Sequence, residues 1–212
     1  MNFEKAVNPI FIIEKTVGDA RTERRRRTAK PLVIAKTERL LLREFQRIDW
    51  RKVHEYASDP QVVRFMSWGP NTEEETRGFI RRSIAYQKMK PRAKYPLAIV
   101  IREGNRLVGG CGIYESNIES REGWIGYCLN RQFWGQGYAT ETARALLGFG
   151  FTRFNLHRIF ATCDPANTAS AHVMEKIGMQ YEGHLREHMR VKGAWRDSLL
   201  CAILDREWKT SK

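Results

Sequence analysis

Short apolar runs separated by polar turns dominate the chain after residue 37, and each run has the length of a strand rather than of a helix. The turn at Gly104 and Asn105 joins two of these runs into a hairpin, and Lys192 and Gly193 join the last two. The predicted strands span residues 39–43, 97–101, 106–114, 122–129, 158–163, 181–191 and 198–207.

Apolar residues at helical spacing fill several intervals between these strands. Thr72 and Glu75 have the spacing of a capping box, which predicts a helix start there. Gly178 follows another helical pattern and is typical of a helix end. The predicted helices span residues 49–56, 72–89, 137–151 and 167–177. Strands interspersed with helices predict an α/β (α+β) fold, with a mixed sheet flanked by helices.

The first 36 residues differ in pattern from the rest: a brief apolar patch at 10–13 and a polar stretch precede four consecutive arginines at 24–27. We interpret residues 1–36 as an N-terminal basic extension and residues 37–208 as one domain. The extension has three interpretations: an ordered addition to the domain, a tail that binds an acidic partner, or solvated chain.

The chain of 212 residues carries a net charge of +13, of which +4 falls in residues 1–30 and +9 in the rest. The excess is therefore spread over the molecule. Such a surface favours anionic partners, among them a polyphosphate cofactor, nucleic acid or a ribosomal surface, although it can also serve solubility alone.

Four cysteines, Cys111, Cys128, Cys163 and Cys201, lie far apart in strand-like segments. Their spacing indicates buried free thiols in a reducing compartment. The histidines and cysteines show no metal-ligand spacing, so we expect no metal. No apolar run is long enough to cross a bilayer and no secretory signal opens the chain, so we expect a cytoplasmic protein without a membrane partner.

Residues 126–141 combine a short strand, a glycine-bearing turn and the start of a helix. Gly135 and Gly137 allow the main chain to curl and approach a ligand closely. Unpaired N–H groups in the first helical turn and the positive end of the helix dipole bind anions. The segment therefore predicts a pyrophosphate site.

Residues 132–137 read Gln-Phe-Trp-Gly-Gln-Gly and match the pattern (R/Q)-x-x-G-x-(G/A), and Tyr-Ala-Thr-Glu follows at 138–141. A second segment starts with Asn-Thr-Ala-Ser at 167–170 and continues through Met179, where phenylalanine is usual. With these motifs the chain resembles the GNAT N-acetyltransferase superfamily, in particular its RimJ/RimL branch of ribosomal-protein alanine acetyltransferases. The resemblance covers about residues 37–208.

The resemblance implies a mostly antiparallel central sheet, splayed between the fourth and fifth of the predicted strands. It implies acetyl-CoA as co-substrate, with its pyrophosphate on the backbone N–H groups of residues 136–139 and its pantetheine arm along residues 128–130. A backbone N–H near Leu129 would polarise the thioester oxygen, and Arg131 would meet a phosphate. The cofactor-binding residues implied are Cys128, Leu129, Asn130, Arg131, Gln132, Gly135, Gln136, Gly137, Tyr138, Ala139, Asn167 and Ser170.

The resemblance also implies catalytic roles for Asn167, Ser170 and a carboxylate. Asn167 would bind the pantetheine or an ordered water, and Ser170 would protonate the departing thiolate, although both positions also suit the capping of a helix. We expect Glu187 to take the proton of the attacking amine. The branch carries a glutamate where this chain has Met189, which leaves water, His188 or Glu119 as alternatives.

The leading interpretation is therefore an acetyl-CoA-dependent N-acetyltransferase in which a primary amine attacks directly within a ternary complex. The acceptor is a protein N-terminal α-amine or a small-molecule amine. The main alternative is a catalytically weak acyl-CoA-binding or sensing module. Binding of nucleic acid through the arginine run is a third and disfavoured interpretation, because that run has no interleaved aromatic residues. The oligomeric state stays open, with a homodimer among the alternatives.

Overall fold

Within residues 31–210, eight strands form one sheet and five α-helices pack on it. The computed structural model describes residues 31–210. The strands are β1 (Val33–Lys36), β2 (Leu40–Glu44), β3 (Lys94–Ile101), β4 (Arg106–Asn117), β5 (Glu122–Leu129), β6 (Arg158–Cys163), β7 (Gln180–Val191) and β8 (Ala194–Leu204). The helices are α1 (Trp50–Ala57), α2 (Glu73–Tyr86), α3 (Tyr138–Thr152), α4 (Thr168–Lys176) and α5 (Asp205–Thr210).

The sheet has the order β1-β2-β3-β4-β5-β6-β8-β7. Its pairs are antiparallel except β5 with β6, which is parallel. The parallel pairing runs only from Glu122 to Trp124 on β5, and the two strands then separate. The predicted mixed sheet, mostly antiparallel and splayed between the fourth and fifth predicted strands, is confirmed; β1 makes these the fifth and sixth strands of the structure.

Both ends of the domain differ from the predicted pattern. β1 pairs with β2, so the sheet begins at Val33, before the predicted domain start at residue 37; the arginine run lies outside the described residues. The last strand ends at Leu204 rather than at 207, and α5 begins at Asp205. The carboxylate of Glu207 accepts a hydrogen bond from the Leu204 N–H at 2.8 Å, which ends the strand ladder and caps the first helical turn.

The sheet buries a separate apolar cluster on each face, because successive side chains on a strand point to opposite faces. One cluster joins the sheet to α3 and α4 and includes Ile113, Leu147 and Ile159. The other joins it to α1 and α2 and includes Phe45 and Val100. A fully buried side chain of this kind contributes about 1.5–3 kcal/mol, so the two clusters hold the layers together.

Two further predictions from the sequence concern a helix cap and the cysteines. The capping box is confirmed: the Thr72 hydroxyl accepts from the Glu75 N–H at 3.2 Å, and the Thr72 N–H donates to the Glu75 carboxylate at 2.7 Å. The four cysteines are free and buried, as predicted. Within residues 31–210, the helices lack the combination of length and apolar composition that spanning a bilayer requires.

Candidate active site

A cleft opens where β5 and β6 separate. Its volume is about 780 Å³, and it is lined by the loop after α1, by β5 and the turn that follows it, and by the first turns of α3 and α4. Beyond Trp124, β5 continues to Leu129 paired with β4, while α4 begins just after β6 at Thr168. The splay thus brings one face of a strand and two helix N-termini to the same space.

Gly135 and Gly137 carry the chain from β5 into α3 with φ angles of +74° and +78°, a region that residues with a Cβ rarely adopt. A Cβ on Gly135 would meet nothing within 4 Å, so the backbone conformation rather than a lack of space calls for glycine. Gly137 is the N-cap of α3. The N–H groups of the following turn have no intrahelical acceptor, and with the helix dipole they form an anion site at the cleft.

Arg39 stabilises this turn by contacts with two of its residues. Its Nη1 donates to the Gln136 carbonyl at 3.0 Å, and its Nε donates to Glu141 Oε2 at 2.7 Å. Burial alone would raise the pKa of Glu141, but hydrogen bonds from Thr37 and Arg39 lower it. Glu141 therefore stays ionised, and the paired Arg39 charge offsets the repulsion that a bare carboxylate would exert on an anion at the first turn of α3.

The free part of β5 presents backbone groups to the cleft. The Asn130 N–H donates to the Val108 carbonyl on β4 at 2.9 Å. Because N–H groups alternate in direction along an antiparallel strand, those of Tyr127 and Leu129 point away from β4 toward the cleft. The indole Nε1 of Trp134 donates to the Leu129 carbonyl at 2.9 Å. Trp134 therefore occupies the Leu129 carbonyl, and the Leu129 N–H remains as a backbone donor directed at the space between β5 and β6.

The thiol of Cys128 lies on the opposite face of β5, in the core cluster that contains Phe45 and Tyr56. Burial raises its pKa to about 12. Burial likewise raises the pKa values of the other three cysteines, Cys111, Cys163 and Cys201. Since the thiolate is the reactive form of cysteine, none of these side chains is prepared to act as a nucleophile at neutral pH.

The first turn of α4 places Asn167 and Ser170 at the cleft. Asn167 is the N-cap, and its Oδ1 accepts from the Ser170 N–H at 3.2 Å. The Ser170 hydroxyl lies 3.1 Å from the Tyr127 hydroxyl. Burial raises the pKa of Tyr127, and its hydrogen bond with Ser170 offsets part of that effect. Tyr127 was not among the predicted site residues, although the alternation along β5 puts it on the same face as Leu129.

Four predicted cofactor-binding residues do not line the cleft; three of them bind within the protein through their side chains, and Gln132 does so through its backbone. The Asn130 side chain accepts from the Gln132 N–H at 3.1 Å, and the Gln136 amide donates to the Gln132 carbonyl at 3.1 Å. Arg131 Nε lies 3.2 Å from a carboxylate oxygen of Asp59. These contacts shape the turn. In contrast, Cys128, Leu129, Gly135, Gly137, Tyr138, Ala139, Asn167 and Ser170 all line the cleft.

Glu187 is exposed and does not line the cleft. Its φ is +49°, and its N–H donates to Asp197 Oδ1 at 2.8 Å. The pairing of β7 with β8 shifts register between Leu185 and Met189, so the rule that residues two apart on a strand face the same way does not apply to Glu187 and Met189. The structure therefore does not bring the Glu187 carboxylate to Ser170.

The two other candidate bases also lie outside the cleft lining. His188 Nδ1 is 3.0 Å from the Ser198 hydroxyl oxygen, and burial together with the charge of Arg196 lowers the pKa of His188. This histidine is consequently neutral at neutral pH. Glu119 is exposed in the turn between β4 and β5.

The loop after α1 forms the wall opposite α4 and contributes Val62, Phe65 and Met66 to the cleft. Lys192 Nζ donates to the Val63 carbonyl at 2.8 Å, and Arg196 Nη1 donates to the Phe65 carbonyl at 2.7 Å. The β7–β8 hairpin therefore holds this wall in place.

No carboxylate is among the described residues that line the cleft, whereas Arg64 and Lys176 are. Within residues 31–210 there is also no group of three or more histidine, cysteine, aspartate or glutamate side chains that could hold a metal ion. The positive charges of Arg64 and Lys176 favour an anionic ligand in the cleft.

The chain is similar to proteins that carry this fold and motif. The acetyltransferase (GNAT) domain family matches residues 39–180. The uncharacterized N-acetyltransferase YnaD of Bacillus subtilis is 38% identical over 172 residues, which is 81% of this chain and 97% of that protein.

Solved structures agree with these matches. The crystal structure of a GNAT-family acetyltransferase from Bacillus anthracis has a TM-score of 0.72 and 38% identity, and the match covers 81% of this chain and 98% of that one. RimL, a ribosomal L7/L12 alpha-N-protein acetyltransferase, shares the fold with a TM-score of 0.74 at 21% identity, over 85% of this chain and 98% of that one. The expected resemblance is confirmed at the level of the superfamily, and the RimL branch is a distant neighbour.

The diverging strands and the anion site at the N-terminus of α3 agree with the family match over residues 39–180. The chain belongs to the GNAT acetyltransferase family and is an N-acetyltransferase.

Proposed function

We propose that this N-acetyltransferase transfers the acetyl group of acetyl-CoA directly to a primary amine while both substrates are bound. The observation that carries the proposal is the convergence of three donors on one cleft. These are the N–H groups at the start of α3, the Leu129 N–H of β5, and the Ser170 hydroxyl of α4. An acyl-CoA carries acceptors for these donors at its phosphates, at its thioester oxygen and at the sulfur that leaves as a thiolate.

Each donor has a role in the proposed binding mode. The backbone N–H groups of residues 136–139 hold the pyrophosphate, with Gly135 and Gly137 giving the turn its shape. The pantetheine arm lies along residues 128–130, in the gap that β6 leaves beside β5. Asn167 binds the pantetheine near its sulfur end or an ordered water. In this scheme the Arg131 side chain and the Gln132 backbone groups act by fixing the turn.

The proposed reaction converts the thioester directly to the amide. The amine nitrogen attacks the thioester carbon, a C–N bond forms, and the Leu129 N–H stabilises the negative charge on oxygen. The C–S bond then breaks, sulfur keeps the electron pair, and the Ser170 hydroxyl donates a proton to it. Ser170 regains a proton from the cleft water that takes the proton of the amine nitrogen. The protonated and buried cysteines support direct attack rather than a covalent acetyl-enzyme.

We assign removal of the amine proton to water in the cleft. No acidic side chain lines the cleft among the described residues, and the positions of Glu187 and His188 support neither as the base. The alternative of a catalytically weak binding module is not favoured, because the relatives are N-acetyltransferases.

The charge of the cleft narrows the class of acceptor. Within residues 31–210, Arg64 and Lys176 line it and no carboxylate does. A second positive charge on the acceptor would therefore be repelled, as would that of a polyamine or an aminoglycoside. The proposed acceptors are the α-amine of a protein N-terminus or a small amine without further positive charge.

Initial rates with acetyl-CoA and a panel of amines test this function. The panel contains peptides with free N-termini, the same peptides with blocked N-termini, small neutral amines and polyamines. We expect acetylated product from the first or third group, and double-reciprocal plots that intersect. Tight binding of acetyl-CoA without any transfer would contradict the activity, and parallel plots with an acetylated protein detected by mass spectrometry would contradict direct attack.

A further inference from the structure

The proposed mechanism leaves a half-buried phenol in the cleft without a role. Tyr127 lies on β5, opposite Cys111 of β4, and its ring packs against the core cluster beneath α3 and α4. Its hydroxyl is 3.1 Å from Ser170 Oγ and 3.4 Å from the Ser170 carbonyl oxygen. Among the described residues, these are the hydrogen-bond partners of the phenol, and both belong to the residue proposed to face the sulfur.

The direction of this hydrogen bond decides where the Ser170 proton points. Each hydroxyl has one hydrogen. If Ser170 donated to Tyr127, its proton would point at the phenol oxygen and would be unavailable to a thiolate. A phenol is the stronger acid of the two and hence the better donor, and the Ser170 oxygen is nearer to it than the carbonyl is. The geometry therefore favours donation from Tyr127 to Ser170 Oγ.

We propose that Tyr127 is a positioning residue: by donating to Ser170 Oγ it leaves the Ser170 hydrogen directed at the sulfur of the bound coenzyme. This inference rests on the proposed function, since it places the sulfur of a CoA thioester beside Ser170. No proton is transferred from Tyr127, which keeps its hydrogen throughout.

The protonation state of the phenol supports this role. Burial raises the pKa of Tyr127, so it is a hydrogen-bond donor across the pH range in which an amine acceptor is nucleophilic. Its place on the sheet also fixes the oxygen, because β5 is held by β4 along this stretch. The Ser170 side chain by itself has three staggered rotamers and a freely turning hydroxyl.

The test follows the ionisation of the CoA thiol when CoA is bound, measured by the ultraviolet absorbance of the thiolate. A hydrogen bond from Ser170 stabilises the thiolate and lowers the pKa of the bound thiol. Tyr127→Phe should raise that pKa by about one unit, and Ser170→Ala should raise it by a similar amount. In the double variant the two effects should not add, because both remove the same hydrogen bond.

Tyr114→Phe is the matched control. Its hydroxyl is buried, lies on the neighbouring strand β4, and has no hydrogen-bond partner within the described residues. Removing it should leave the pKa of the bound thiol unchanged. Thermal melts of all variants exclude a general loss of structure.

Kinetics provide a second readout and separate the two proposals. Tyr127→Phe should lower kcat about tenfold and keep the KM for acetyl-CoA within about twofold. An unchanged thiol pKa in Tyr127→Phe, or effects that add in the double variant, would overturn the positioning role while leaving acetyl transfer by the unmodified enzyme intact. If the unmodified enzyme transfers nothing but the thiol pKa shifts as expected, the positioning role stands and the proposed function fails. A protein that binds no CoA refutes both.

Discussion

Asn167 and Ser170 both lie at the start of α4, but Asn167 stabilises the helix whereas the Ser170 hydroxyl faces the cleft. The Asn167 side chain caps the helix through the Ser170 N–H, so its loss affects the fold as well as the cleft. The Ser170 hydroxyl has a hydrogen bond with Tyr127 and otherwise faces the cleft. Its removal should therefore act on chemistry more than on stability.

Ser170→Ala should lower kcat by about tenfold to a hundredfold, because it removes the proton donor to the leaving thiolate. The Kd of acetyl-CoA should stay within about twofold of that of the unmodified protein. Steady-state kinetics and calorimetry measure the two quantities. Thr168→Ala, at an exposed position one residue after the N-cap, is the control and should keep its rate. A Ser170→Ala enzyme with full kcat would remove Ser170 from the mechanism.

Gly137→Ala should weaken acetyl-CoA binding about tenfold or more, since a Cβ at φ +78° strains the turn whose N–H groups meet the pyrophosphate. Gly104→Ala is the matched control, at φ +72° in the β3–β4 turn with open space around it. Both variants should lose about 1 kcal/mol of stability. Only Gly137→Ala should lose affinity in calorimetry, and equal affinities in the two variants would contradict the anion site.

At the scale of elements, a buried ion pair fixes β2 to the start of α1. Arg43 Nη1 and Nη2 donate to the two carboxylate oxygens of Asp49 at 2.7 Å and 2.9 Å, and the Gln46 N–H donates to the same carboxylate at 2.8 Å. Both side chains are about nine-tenths buried. Such a pair stabilises the fold only while both partners are present, because either partner alone is an uncompensated buried charge.

Asp49→Ala should lower the free energy of unfolding by about 3–5 kcal/mol, because it leaves the Arg43 guanidinium buried without its carboxylate. Glu55→Ala removes half of the exposed pair with Lys52 and should cost at most about 1 kcal/mol. Denaturant unfolding of both variants measures the difference. Similar values for the two would show that Asp49 contributes no more than a surface charge.

The same scale shows what the sequence could predict. Alternation and capping patterns located the seven predicted strands and four helices, and the glycine spacing located the turn, because these signals are local. The register shift between Leu185 and Met189 has no local signal, since it depends on how β7 meets β8. With this register shift, Glu187 does not line the cleft. Tyr127 was missed because its partner, Ser170, lies 43 residues away.

The whole molecule is basic, with a net charge of +13, and the cleft shares that sign. Long-range attraction should therefore speed the encounter with a polyphosphate. The association rate constant of acetyl-CoA, measured by stopped flow, should fall about tenfold or more from low to high salt as the charges are screened. S-acetylpantetheine, which lacks the phosphates, is the control and should show little change. A salt-independent rate for acetyl-CoA would mean that net charge plays no part in its capture.

The wall opposite α4 depends on a distant hairpin, because Lys192 and Arg196 bind the carbonyl oxygens of Val63 and Phe65. Substitutions in the loop alone would leave these two hydrogen bonds in place, because they are made to backbone carbonyl oxygens. The loop backbone would therefore keep its present path. Attempts to redirect the enzyme to new amines should therefore mutate loop and hairpin jointly, and libraries confined to either segment should return mostly parental selectivity.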